Sequence, residues 1–193
     1  MGPVFWPDAV VPYEIAPDLP ARPQVEEAIR QWNETPGMPV HLTPRTEEKD
    51  HVVFVDGQRC SSNRGVTGGP QEIVLTAGCR RGVVLHEIGH AVGLQHEHNR
   101  ADRRQFLRRI ALENVYPAAV SNFASRSDPE SGDYDFESIM HYSQMAFSRN
   151  RAPTIEPIPE KVTPPDALIG QRQRLSAGDV ERLKVLYPRS GGS

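Results

Sequence analysis

The run HEIGHAVGLQHEHNRADR, residues 86–103, carries the residue types and spacing for metal chemistry. His86 and His90 are four apart, so on a helix they lie on one face and can point at a common centre. Glu87 sits beside His86, within reach of that centre. Gly93 comes three residues after His90, where a glycine can end a helix in a left-handed conformation that other residues adopt at a cost. The chain can then turn and carry His96 to the same point. Three converging imidazoles with one position left open match a catalytic zinc site, whereas a structural zinc is closed by four protein ligands. The competing reading is a surface helix of solvated histidines. Against it, HExxHxxGxxH fixes five positions in eleven, each with a mechanical reason.

The long pattern is the metzincin signature, which a downstream methionine turn completes. Ser138-Ile139-Met140-His141-Tyr142 supplies that turn. The combination HExxHxxGxxHExxRxDR with SIMHY resembles the astacin family. It reads here as His86, Glu87, His90, Gly93, His96, Glu97, Arg100, Asp102 and Arg103. The similarity extends over nearly the whole chain. Trp6 and Val11-Pro12-Tyr13 resemble the family's entry strand; Asn122-Phe123, Tyr134-Asp135, Phe147-Ser148 and Ile169-Gly170-Gln171-Arg172 resemble its later landmarks.

Composition bounds the alternatives. At 193 residues the chain makes one domain or two small lobes and can bury a sizeable core. No run approaches the roughly 20 apolar residues of a membrane helix. The formal charge of −3 gives no basic field for nucleic acid. Prolines, 18 of 193, gather near both ends and mark those stretches as extended or looped. Cys60 and Cys79 allow one disulfide or two free thiols. The resemblance favours the bridge, because the family has a cysteine pair just before the active-site helix. Its second, lobe-to-lobe disulfide has no cysteines here. A bridge implies an oxidising compartment, hence secretion, although no signal peptide or propeptide is read in a chain that starts Met1-Gly2-Pro3 like a mature domain.

The elements that position these residues can be read in outline. Residues 10–15 make a strand. Pro23 suits the first position of a helix, and Val25, Ala28, Ile29 and Trp32 follow as an apolar stripe. Residues 40–42 and 51–56 are β-branched strands, 57–70 a glycine-rich loop, and 71–76 a further strand. In the family this last strand lies at the sheet edge and pairs antiparallel with substrate; the residues alone fit an internal strand equally. Residues 82–94 form the active-site helix, with Val83, Val84, Ile88, Ala91 and Val92 as an apolar shell. Residues 112–123 have helical character broken by Pro117. Ser176 and Asp179 resemble a capping box for a last helix, whose Val180, Leu183 and 185–187 should pack inward.

The resemblance therefore implies an α+β, two-lobed zincin (metzincin) fold. A twisted mixed sheet with two helices fills residues 1–96. Residues 97–193 form a largely irregular lobe with the Met-turn and a C-terminal helix, and the cleft lies between the lobes. One catalytic Zn2+ is held by His86, His90 and His96, with Tyr142 as a further ligand in the resting state that swings away to assist catalysis. Glu87 is the general base. Met140 packs beneath the metal, Glu97 contacts the mature N-terminus, and Arg100, Asp102 and Arg103 form structural pairs and caps. His41, His51, His98 and His141 are not ligands. Arg172 and Arg174 alternate in an extended run, and either could bind an acidic side chain just after the cleaved bond; an equal alternative pairs Arg172 with Asp179 or another residue of the lobe. The expected activity is zinc endopeptidase, on a peptide or protein substrate, by a secreted monomer that binds neither nucleic acid nor membrane. The alternative is a non-catalytic, zinc-containing peptide-binding module.

Overall fold

The structure, a computed structural model, describes residues 4–127 and 132–188. It divides into two compact units: the chain up to Gln95 together with the chain from Arg172 onward, and His96–Gln171.

The first unit is built on a five-stranded sheet. Its strands are β1 (Val10–Ile15), β2 (His41–Pro44), β3 (His51–Asp56), β4 (Ser61–Ser62) and β5 (Pro70–Leu75), in the spatial order β2-β1-β3-β5-β4. All neighbours are parallel except β4, which runs antiparallel to β5. Parallel neighbours need a crossover, and α1 (Arg22–Glu34) supplies the one between β1 and β2. Its stripe of Val25, Ala28, Ile29 and Trp32 is buried as the spacing predicts. The Trp32 indole N–H donates to Val40 O at 2.9 Å, so the buried ring keeps its polar atom satisfied.

Two expectations about this sheet change. The segment read as a loop at 57–70 contains β4, and β5 is internal rather than at the edge. Strand β4 pairs only Ser61 with Val74 and Ser62 with Ile73. Two residues carry no readable period, which is why the sequence shows a loop there. The Cys60–Cys79 disulfide is formed and spans the segment holding β4 and β5. It ties the start of the edge strand to the residue before the cap of the next helix.

That helix, α2 (Arg81–Ala91), has Gly82, Val84, Leu85, His86, Glu87, Ile88, Gly89 and Ala91 all buried. A helix covered on every side is held by packing rather than by an amphipathic stripe. Gly82 is where the chain passes closest: a Cβ there would stand 1.7 Å from the Arg172 carbonyl oxygen. Gly93, at φ +108°, ends the helical run as expected. The last carbonyls of a helix have no partner within it, and here three consecutive ones are taken by side chains from far along the chain. Trp6 Nε1 donates to Ala91 O at 2.8 Å, Tyr187 Oη to Val92 O at 2.9 Å, and Arg64 Nε to Gly93 O at 3.0 Å.

Helix α3 (Ala177–Leu186) begins at the Ser176–Asp179 capping box, with both reciprocal bonds present. The sequence reading places residues 97–193 in one lobe, yet this segment packs with the first unit. Val180, Leu183 and Tyr187 are buried, and the Tyr187 ring meets Phe5 edge-on at 5.6 Å. Val185, expected to point inward, is 63% exposed. It lies two residues beyond Leu183, on the opposite side of the helix.

The second unit is largely irregular. A two-stranded antiparallel pair, β6 (Leu107–Ile110) and β7 (Ile155–Pro157), joins short 3-10 turns around Leu107, Val115, Phe123, Tyr134, Phe136 and Ile155. Arg100 is its buried hub. It pairs with Asp102 at 2.7 Å and Glu97 at 3.3 Å, donates to the carbonyls of Gly132 and Asp133, and lies over the Tyr134 ring. Arg103 caps the carbonyls of His98 and Phe123. The expected structural roles of Arg100, Asp102 and Arg103 are the ones these contacts describe.

Candidate active site and metal centre

His86 and His90 stand one turn apart on α2, their rings perpendicular with centroids 4.7 Å apart. After the Gly93 turn, a nitrogen from each of His86, His90 and His96 lies within 4.8 Å of the others. Tetrahedral zinc with bonds of about 2.0–2.1 Å needs ligand nitrogens roughly 3.4 Å apart, inside that limit. His90 Nδ1 lies 3.0 Å from Leu94 O. A carbonyl can only accept, so Nδ1 carries the proton and Nε2 keeps its lone pair for a metal. Burial pushes the His90 imidazole down to about 4, against the Leu94 hydrogen bond and helped by the Arg172 and Arg64 charges. It is neutral at neutral pH, as a ligand must be. The donor set fits zinc.

Glu87 is buried beside His86. Burial raises its carboxyl to about 7, while the Arg172 charge pulls it down. A bound dication would pull it down further. A carboxylate near the working pH can take a proton and return it.

Tyr142 closes the Met-turn, whose Ser138 Oγ accepts from Met140 N–H at 3.0 Å and whose Ser138 O accepts from His141 N–H at 3.0 Å. Met140 is fully buried, and its carbonyl accepts from the Glu97 N–H, one residue past His96. The Tyr142 ring lies 4.6 Å from that of His96, with Phe123 at 5.8 Å and Phe147 at 5.5 Å.

The remaining expectations separate. His141 bonds through both ring nitrogens, to Tyr134 Oη and to Tyr142 O. His41 is exposed on β2, and His51 is buried in β3 with Nδ1 on Lys49 O. His98 lies outside the converging group, fully buried, with its imidazole pushed well down by burial. Glu97 holds Arg100 and the Asp135 N–H; the first three residues, toward which the resemblance directs it, lie outside those described. Arg172 is half-buried, with its charge felt at both Glu87 and His90, whereas Arg174 is exposed. Asp179 serves the capping box and faces Arg182 at 3.8 Å. Two residues of the site's surroundings escape the sequence reading. Arg64 comes from a loop with no pattern, and His98, read from the sequence only as a non-ligand, stands two residues from His96, a spacing that points nowhere in particular.

A family model for astacin, a family of peptidases, matches residues 3–188. Among curated proteins, bone morphogenetic protein 1 of Xenopus laevis is 39% identical, over 94% of this chain and 27% of its own length. Astacin-like metalloprotease toxin 1 of Loxosceles intermedia is 37% identical, over 95% of this chain and 71% of its own. This chain thus spans most of some relatives and about a quarter of others. The solved structure of high choriolytic enzyme 1, a hatching-enzyme zinc-protease from Oryzias latipes, superposes with a TM-score of 0.83 at 35% identity, covering 96% of this chain and 94% of that one. By its match over nearly the whole length and by its metal-competent histidines, this chain belongs to the astacin family of zinc-dependent metalloendopeptidases.

Proposed function

We propose that the chain hydrolyses internal peptide bonds with Glu87 as its proton carrier and Tyr142 as its hydrogen-bond donor to the reacting oxygen. The observation that carries this reading is a buried, proton-accepting Glu87 beside three histidines that fit a metal. His86, His90 and His96 would hold one zinc ion. When bound, zinc supplies Lewis acidity, polarising the scissile carbonyl and making water a stronger acid. Glu87 takes the proton of the attacking water as the C–O bond forms. It then delivers that proton to the departing amine nitrogen as the C–N bond breaks. The Tyr142 phenol rests beside His96, where it can serve as a further ligand, and on turning away it donates to the oxygen of the tetrahedral carbon. Met140 would pack under the ligand cluster.

Substrate would lie extended along the sheet's exposed edge. That edge is β4, which packs against α2. Its unpaired backbone groups accept an added antiparallel strand. Arg172, whose charge reaches Glu87, would meet an acidic side chain just after the cleaved bond. The Cys60–Cys79 bridge fits an oxidising, secretory setting, and protein or peptide is the expected partner. No helix among the described residues is long and apolar enough to cross a membrane.

The test is digestion of a casein-type substrate and a peptide library by zinc-loaded protein, read by mass spectrometry. Internal cleavage should vanish with chelator and return with zinc. Glu87→Gln should keep stoichiometric zinc and lose at least about 10²-fold in turnover. Near-normal turnover in that variant would remove Glu87 from the mechanism.

A further inference from the structure

The backbone of Tyr142 is pinned through its neighbour. His141 Nδ1–H donates to Tyr142 O at 2.6 Å, and His141 Nε2 accepts from the Tyr134 hydroxyl at 2.8 Å. What remains adjustable is the side-chain torsion, and the surrounding rings decide it. Three of them meet Tyr142 at an angle: His96 at 57°, Phe147 at 53° and Phe123 at 75°. His98, by contrast, lies nearly parallel to Tyr142, with centroids 4.0 Å apart and planes at 22°.

His98 is an expensive choice for a packing residue. It is fully buried, and its Nδ1 finds no hydrogen-bond partner among the described residues. Burying a polar atom unpaired is unfavourable. Its other nitrogen, Nε2, donates to Asn122 O at 3.2 Å, yet that carbonyl already accepts from Asn99 Nδ2 at 2.9 Å. The carbonyl therefore does not need the histidine. What the bond does is fix the rotation of the imidazole. Phe123 meets the imidazole edge-on at 5.6 Å and also touches Tyr142, so it flanks the stacked pair. The ring is locked with its face toward Tyr142.

We infer that His98 is a positioning residue for Tyr142: a flat, rotationally locked seat against which the phenol rests beside His96. The inference builds on the reading of Tyr142 as a movable ligand given above. A stacked ring restricts the phenol to sliding within one plane, so the seat sets both where the oxygen sits at rest and how readily it leaves.

Two substitutions separate the ring face from the hydrogen bond. His98→Phe keeps a flat face, and Asn122 O retains Asn99. His98→Leu keeps apolar volume and removes the face. Copper(II)-loaded protein reports the contact directly, because a phenolate bound to copper(II) gives a visible charge-transfer band. His98→Phe should keep that band. His98→Leu should lower it roughly 2-fold or more at equal copper content, and kcat of the zinc form should fall roughly 5-fold with KM within about 2-fold. Should His98→Leu not fold, His98→Asn, which keeps a donor without a ring, carries the same expectation. Band and kcat unchanged in the face-less variant would overturn the inference. So would a His98→Phe variant as impaired as His98→Leu, since the ring face would then not be what matters. Tyr142→Phe is the control for the underlying reading. If that variant keeps the band, Tyr142 is not a ligand and the earlier reading fails. If it loses the band while the His98 variants behave as wild type, only the seat is wrong.

Discussion

Gly82→Ala tests whether the approach of the Arg172 strand to α2 is as close as described. The added methyl carbon would stand 1.7 Å from the Arg172 carbonyl oxygen, 2.4 Å from its carbon and 3.0 Å from its Cα. Ordinary contact begins near 3.4 Å, so either the backbone at Arg172 or the first turn of α2 must retreat by 3.4 − 1.7 = 1.7 Å. Overpacking of this kind costs about 1–3 kcal/mol when side chains can yield. The obstacle here is backbone, which puts the cost at the upper end. Replacing a helical glycine by alanine returns up to ~1 kcal/mol. The net loss is about 2 kcal/mol. For a chain of this size that lowers Tm by roughly 4–8 °C. Differential scanning calorimetry at fixed zinc measures it, with Gly78→Ala as the control. A Cβ at Gly78 meets nothing nearer than Thr76 Oγ1 at 3.5 Å, so that change should shift Tm little. A Gly82→Ala protein melting at or above wild type would refute the described approach of the Arg172 backbone to α2.

The two arginines of the 172–174 run should also part company. Arg172→Gln should erase any enrichment of Asp or Glu just after the scissile bond while leaving general proteolysis, whereas Arg174→Gln should leave the profile intact. An acidic preference that survives Arg172→Gln, or that weakens with Arg174→Gln instead, refutes the assignment. Purified protein should show no free thiol under denaturing, non-reducing conditions. Replacing both Cys60 and Cys79 by serine should cost roughly 3 kcal/mol of stability in denaturant titration, as expected for closing a loop of this size; an unchanged midpoint would mean the bridge adds nothing.

Legibility in the sequence follows the range of the interaction. Where a rule is local, sequence and structure agree: Pro23 and the Val25–Trp32 stripe mark α1, Ser176 and Asp179 mark the start of α3, and Gly93 marks the end of the active-site helix. The histidine triad is legible because helical spacing and one glycine place all three imidazoles within eleven residues. What escapes depends on partners distant in the chain. Two-residue β4 has no pattern of its own and exists because β5 pairs with it. The return of α3 to the first unit is decided by Phe5, Trp6 and Val92 receiving Tyr187. Arg172 and Arg174 look equivalent in an extended run; in the structure the backbone of the first lies against Gly82 and its charge acts on Glu87. His98 has no signal at all without the ring of Tyr142 in place.

The three side chains that grip the end of α2 also have a consequence for timing. Translation runs in one direction, and the donors to Ala91 O, Val92 O and Gly93 O come from positions 6, 187 and 64. A nascent chain that has reached His96 already carries every imidazole of the cluster, together with Trp6 and Arg64. It still lacks Tyr187, which arrives 95 positions after the carbonyl it serves. The helix bearing the first two imidazoles is therefore completed only once Tyr187 has been made. A segment that stops short of Tyr187 would hold the three imidazoles on a helix whose last carbonyls are not all taken.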